Sequence, residues 1–200
     1  MTDLELTRYP GPAAKEVFDD LVALYRVVYD VPPYAGDPFF SVDSFAERLH
    51  DALEMTGFET VTARRSGELL GLVHGVTLPA DRAWWRSLGE ARPPAARAAA
   101  EAGRVFWLRE LMVLPEHTGQ GVGRRLHDAM VAGRDETWTV LTCIFDNEPA
   151  RSAYPRWGYR VIGGRIRHAP ESPEYDALLL PPTPPADRDR GPGRTAAGPV

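Results

Sequence analysis

In the stretch PEHTGQGVGRRLHDAM, residues 115–130, glycine occupies positions 119, 121 and 123, between an apolar run (VFWLRELMVL, 105–114) that reads as a strand and a periodic face that reads as a helix. Glycine reaches backbone conformations closed to other residues and lets consecutive N–H groups approach a ligand with no Cβ in the way. The first turn of a helix adds unpaired N–H groups and the positive end of its dipole. The junction therefore calls for a strand-turn-helix unit suited to an anion such as a pyrophosphate, with Arg124 or Arg125 at its rim. A plain tight turn is the other reading of the same glycines. Two familiar phosphate motifs do not apply. The Walker pattern ends in Gly-Lys-Ser/Thr, and here Gly123 precedes Arg124 and Arg125; the dinucleotide fingerprint needs a third glycine where Leu126 stands.

The rest of the chain supplies the elements around that junction. LELTR (4–8) alternates like a half-buried strand closed by Pro10, Gly11 and Pro12. Val17, Leu21, Leu24, Tyr25 and Val28 mark one face of a helix that DVPPY (30–34) stops. Ser44 and Glu47 fit a capping box for a second helix, with Phe45, Leu49, Ala52 and Leu53 as its apolar face. FETVTARR (58–65) and LLGLVHGVTL (69–78) flank Ser66-Gly67 and predict an antiparallel hairpin. Residues 80–104 form a long connection with one short alanine-rich helix and the pair Trp84 and Trp85. After the glycines, Val122, Leu126, Ala129, Met130 and Gly133 share a face, and WTVLTCIF (138–145) reads as a strand. Asp146 or Asn147 caps a further helix with Pro149 in its first turn and Ala150, Ala153, Tyr154 and Trp157 as its stripe, before the strands YRVIG and YDALLL. The expected architecture is three-layer α/β: a mostly antiparallel sheet with a parallel pair at its centre and helices on both faces. Residues 1–180 are expected to form one domain, and 181–200, rich in Pro, Gly and Arg, a disordered tail.

Charge and composition exclude several functions. A net charge of -5 argues against general affinity for nucleic acid. No stretch approaches the roughly 20 apolar residues of a membrane span, so a cytoplasmic location and no membrane partner are expected. Cys143 is the single cysteine, which precludes an intramolecular disulfide and leaves too few thiols for structural zinc; the five histidines show no metal spacing, so no metal is expected. Lys15 is the only lysine in an arginine-, alanine- and proline-rich chain, a composition typical of a high-GC bacterial gene.

NEPARSAYPRWGY (147–159) resembles one signature of the GNAT N-acetyltransferase superfamily, and LMVLPEHTGQGVG (111–123) resembles its acetyl-CoA motif, R/Q-x-x-G-x-G/A, in the same order and spacing. The resemblance covers roughly residues 105–163. It departs from the pattern at Thr118, where the family has Arg or Gln, and at Pro155, which follows Tyr154 and is expected to kink its helix. It implies a GNAT-like sheet whose central strands, ending at Val113 and Phe145, splay apart to admit the pantetheine arm. The backbone of Leu111, Met112 and Val113 would pair with the pantetheine amides. Gly119, Gln120, Gly121, Val122 and Gly123, between Thr118 and Arg124, would take the pyrophosphate, and Asn147 would reach the pantetheine. As a helix cap alone, Asn147 needs no ligand.

Acetyl transfer to an amine expels a thiolate, and the resemblance gives Tyr154 the role of protonating it; packing on the buried stripe is its other reading. The amine must lose a proton, and Glu110, an acid within an apolar strand, is the candidate base, acting directly or through water. A structural ion pair or a partly solvated edge would also explain Glu110. Strict alternation points Arg109 to the opposite face, unless a bulge intervenes. Tyr29, Tyr34, Trp84 and Trp85 are the candidates for an aromatic wall around a cationic amine, with ordinary packing as the other reading of each. Cys143 reads as a small buried strand residue. These expectations converge on an acetyl-CoA-dependent N-acetyltransferase working by direct transfer on a small-molecule primary amine, a metabolite or an aminoglycoside-like antibiotic, as a possible homodimer. A protein N-terminus or lysine as acceptor and a non-catalytic acyl-CoA sensor are the alternatives.

Overall fold

The computed structural model describes residues 3–31 and 34–182, so the expected tail lies outside the described residues from 183 onward. Strand β1 (Glu5–Pro10) leads through a 3-10 turn into helices α1 (Phe18–Tyr29) and α2 (Val42–Leu53). The hairpin of β2 (Glu59–Arg65) and β3 (Glu68–Thr77) follows, then short helices α3 (Ala83–Ser87) and α4 (Pro94–Glu101). The second half runs β4 (Val105–Val113), α5 (Val122–Val131), β5 (Trp138–Ile144), α6 (Glu148–Arg156), β6 (Arg160–Ile166) and β7 (Tyr175–Leu180). One sheet holds all seven strands in the order β1-β2-β3-β4-β5-β7-β6, antiparallel except where β4 meets β5.

Each face of the sheet carries its own core. Leu21, Phe45, Trp84 and Ala99, from α1 to α4, cover Leu72 and Trp107 on one face. Leu126, Met130 and Tyr154, from α5 and α6, cover Val73, Phe106 and Leu141 on the other. Burying each large side chain contributes about 1.5–3 kcal/mol, which is why the alternation of β3 and β4 fixes their register so firmly. The hairpin turn is left-handed at both Ser66 (φ 53) and Gly67 (φ 86), the geometry that matches the twist of the flanking strands. Among the described residues, no helix is long and apolar enough to cross a membrane.

Several local expectations shift. Helix α2 starts three residues before the Ser44-Glu47 box implies, because the Ser41 hydroxyl accepts the Ser44 N–H at 3.2 Å and so caps Val42 onward. The long connection holds two helices rather than one. Gly133 lies beyond the end of α5, and His127 joins the buried stripe instead. A histidine can sit there because its Nε2 meets the Tyr159 hydroxyl and its Nδ1 meets Asp128, both at 3.0 Å.

At the sheet end away from the glycine bend, Arg134 pairs with Glu59 and with Glu136 (3.0 Å), and its guanidinium lies 4.0 Å from the Phe106 ring centre. All three charged side chains are at most 12% exposed. Burial alone would raise the Glu136 pKa, but hydrogen bonds from Arg134 and Thr77 hold it below the usual range. Arg134→Met is expected to destabilise the protein by about 3 kcal/mol at neutral pH, because two carboxylates lose a partner in a site poor in water. The deficit, read by denaturant unfolding, should shrink as pH falls through the lowered Glu136 pKa, where the wild type loses the same stabilisation.

Candidate active site

Strands β4 and β5 pair only along Val105–Leu108 and Trp138–Leu141, although both run further. The parallel pairing ends at a bulge. His74 of β3 faces Glu110 and Gly75 faces Leu108, so Arg109 is the extra residue in β4. Before it, Trp107 belongs to the α1/α2 face and Leu108 to the α5/α6 face; after it, Met112 belongs to the former and Leu111 and Val113 to the latter. Arg109 and Glu110 thus share the α1/α2 face, which corrects the expectation of opposite faces. Glu110 accepts the Tyr29 hydroxyl of α1 at 2.9 Å, and Arg109 Nη1 lies 3.1 Å from Met55 Sδ, just past α2. Beyond the bulge, Leu111, Met112 and Val113 pair with β3 on one edge and, among the described residues, with no strand on the other. Their free edge can accept an extended ligand as an added strand.

The bend that follows β4 is left-handed at Gly119 (φ +71) and Gly121 (φ +82), and a Cβ built on either would meet nothing within 4 Å. Gly121 caps α5, and the first helical bond runs from Arg125 N–H to the Gly121 carbonyl. The N–H groups of Val122, Gly123 and Arg124 therefore lack an acceptor within the helix. Side chains at the bend are committed elsewhere. Thr118 donates its hydroxyl to the Pro115 carbonyl and Gln120 its amide to the Glu116 carbonyl, each at 2.8 Å. Arg124 turns back to Asp128 (2.6 Å), and Arg125 donates to the Leu4 carbonyl (3.1 Å). Gly123 differs from its two neighbours: an added Cβ would make an ordinary 3.6 Å contact with Val113. Main-chain donors without an acceptor in the helix, opening on space that is free among the described residues above two glycines, fit a diphosphate.

Helix α6 begins at the far side of the splay. Asn147 caps it, accepting the Ala150 N–H at 3.2 Å, which leaves its amide nitrogen as a donor. Pro155 sits one residue before the helix ends, so the missing N–H falls where the ladder is about to stop and α6 continues through it. Tyr154 is 8% exposed, edge-on to Trp157 (5.3 Å) and Tyr159 (5.4 Å), and its hydroxyl makes no hydrogen bond among the described residues. Burial, then the nearby Cys143 and Glu110, raise its pKa far above the ordinary phenol range, so the hydroxyl stays protonated. Burial also pushes the Cys143 thiol up to about 12, which fits a packed strand residue.

On the acceptor side, Tyr29 stacks on Tyr25 (4.2 Å) and Phe40 (5.5 Å) and meets Tyr34 at 5.0 Å. Tyr25, Tyr29, Tyr34 and Phe40 line a cavity of about 390 Å³. Trp84 and Trp85 do not join this wall. Trp84 packs on Trp107 (5.3 Å) and His168 (5.6 Å), and Trp85 borders a separate hollow of about 400 Å³ with Arg86, Arg92 and Arg97. The expected four-residue wall is thus two aromatic groups, one beside Glu110 and one around Trp107.

Residues 18–159 match the Acetyltransferase (GNAT) family. The chain belongs to that family. Its fold is similar to those of an acetyltransferase from Thermus thermophilus (TM-score 0.60, 18% identity, 90% of this chain and 99% of that one) and the PaiA N-acetyltransferase of Thermoplasma acidophilum in complex with coenzyme A (0.56, 12%, 90% and 99%). It is also similar to the ribosomal-protein-S18-alanine N-acetyltransferase of Escherichia coli (0.58, 12%, 94% and 98%). No curated protein matches the sequence.

In this GNAT acetyltransferase, burial raises the Glu110 pKa, while the Tyr29 hydrogen bond and the charges of Arg48 and Arg109 oppose the rise. His74, directly across from Glu110, keeps both ring nitrogens buried and unpartnered among the described residues, and burial followed by Arg109 and Arg48 lowers its pKa to about 3. It is neutral at any working pH. Tyr29→Phe removes a donor that favours the Glu110 carboxylate. With Glu110 as the base, as proposed below, the acid limb of kcat/KM is expected to lie above the usual carboxylate range in the wild type and to move to still higher pH in that variant. A limb unmoved by the change would disconnect Glu110 from the rate. Sequence periodicity missed Arg109, Tyr25, Phe40, Trp107 and His74 as site residues; the charged pair Arg109-Glu110 inside an apolar run was the one signal for the bulge.

Proposed function

We propose that the protein transfers an acetyl group directly to the primary amine of a small molecule, with Glu110 as base and Tyr154 as acid. Acetyl-CoA supplies the acetyl group as a thioester when bound. The glycine bend holds the diphosphate through main-chain N–H groups, and the free edge of Leu111–Val113 and the Asn147 amide orient the pantetheine arm. Glu110, held by Tyr29, takes a proton from the acceptor ammonium, directly or through water; the amine nitrogen bonds to the acetyl carbon as the C–S bond breaks. Tyr154 gives its proton to the departing sulfur and is reprotonated as the acylated nitrogen sheds its second proton, which leaves a neutral amide and a thiol. A thiol in water has a pKa near 8.5, below that of a phenol, but the burial that raises Tyr154 raises any sulfur beside it too, as Cys143 illustrates.

The observation that carries this reading is the Tyr29-Glu110 hydrogen bond, which joins the lining of a small-molecule-sized aromatic cavity to the carboxylate at the splay. Calorimetry with acetyl-CoA, paired with a thiol-release assay over small amines and peptides, tests it. Release with small amines supports the reading. Release with peptides alone gives the acceptor as a protein, and coenzyme binding with no release gives a sensor.

A further inference from the structure

The Arg109 guanidinium is unusual in this fold. The bulge turns it onto the α1/α2 face beside Glu110, where it is half-buried, and its hydrogen-bond partner is the Met55 thioether. Among the described residues no carboxylate lies within ion-pair distance of Arg109, Arg82 or Arg48, whereas most other arginines with ordered contacts have one. Arg109 and Arg82 both lie over the Trp107 ring, at 4.7 and 5.3 Å from its centre. The Trp107 and Trp84 indole N–H groups are buried with no acceptor among the described residues. Burial, then Arg82 and Arg48, lower the Arg109 pKa to about 10, so each added cation makes the next less favourable. A chain with net charge -5 thus places two guanidiniums and two indole donors around Trp107 with no oxygen acceptor for them among the described residues, while the nearby Arg48 donates to the Phe39 carbonyl and the Tyr25 hydroxyl. A cation largely withdrawn from water without an ion-pair partner is unfavourable unless a ligand supplies the counter-charge. The planar fork of Arg109 suits an oxyanion held by two N–H donors.

We infer that Arg109, flanked by Arg82 and Trp107, forms an oxyanion subsite, so that the acceptor is an amine that also carries a carboxylate or phosphate. The inference rests on the proposed transfer to small amines and narrows it: an amino acid or phosphorylated amine fits, and a polycationic aminoglycoside does not. Glu110 meets the ammonium end and Arg109, the next residue, meets the anionic end.

Two readouts test it. In the first, acetate and inorganic phosphate are titrated separately into 15N-labelled protein while the tryptophan indole signals are followed; the Trp107 signal should move with at least one anion, which also tells carboxylate from phosphate, and should stay still in Arg109→Met. In the second, kcat/KM is compared for phenylalanine against phenethylamine and for O-phosphoethanolamine against ethanolamine. The anionic member of at least one pair should be favoured tenfold or more, and Arg109→Met should reduce that ratio by about 10- to 100-fold, with Arg109→Lys in between. Without ligand, Arg109→Met should melt no lower than wild type, since it removes an unpaired charge; a structural arginine would give a lower Tm. Anion-dependent indole shifts with no turnover of any amine would uphold the subsite and overturn the transfer. Turnover with no preference in either pair, a preference that survives Arg109→Met, or no indole shift with either anion overturns the subsite.

Discussion

Tyr154→Phe is expected to lower kcat by about 10² to 10⁴, the range of a lost general acid, with a much smaller effect on the KM for acetyl-CoA. The Tyr154 hydroxyl has no protein partner among the described residues, so deleting it orphans no buried group, and the ring contacts with Trp157 and Tyr159 stay in place. The variant should therefore melt within a degree or two of wild type, which separates a chemical loss from a folding loss. The effect should also depend on the leaving group. A thioester whose thiol is more acidic needs less help in departing, so the wild-type-to-variant ratio should contract with such a donor. A variant that turns over normally would reduce Tyr154 to a packing residue.

Gly121→Val should raise the Kd for coenzyme A at least 100-fold. Valine at a φ of +82 is strained by about 1–3 kcal/mol, and it relaxes by moving the very N–H groups that face the ligand. Its side chain would also enter the open space above the bend, where the diphosphate is proposed to lie. The two neighbouring glycines calibrate the result. Gly119→Val should behave similarly, because its φ of +71 is equally closed to valine; Gly123→Ala should lose less than tenfold, since an ordinary φ and a 3.6 Å contact with Val113 tolerate a methyl group. Calorimetry on coenzyme A beside pantetheine adds a control. The glycine effect should be large for the former and small for the latter, which carries no diphosphate.

The elements were legible wherever one face of a strand or helix is buried. The hairpin around Ser66-Gly67, the parallel pair of β4 and β5 and the stripe of α1 all follow from period and turn chemistry. The Asn147 cap and the two left-handed glycines were readable for the same local reason. What periodicity could not show were features made by tertiary contact. The bulge at Arg109 has no sequence period of its own, and with strict alternation one extra residue sends every later side chain to the wrong face. The cap at Ser41 and the extra helix α3 depend on how the chain after α1 and the excursion after β3 settle on the sheet. For Trp84 and Trp85 the packing reading is the one the structure favours: they are core because α3 folds them under Trp107 and Arg92.

The central claim is that main-chain N–H groups of the bend at residues 119–124 hold the coenzyme diphosphate while its sulfur lies beside Tyr154. A crystal structure of the protein with coenzyme A tests it most directly. The account predicts diphosphate oxygens hydrogen-bonded to amides of the bend, the pantetheine arm between β4 and β5, and the sulfur within reach of the Tyr154 hydroxyl. Coenzyme A bound anywhere else, or a bend left free at saturating coenzyme, would contradict it.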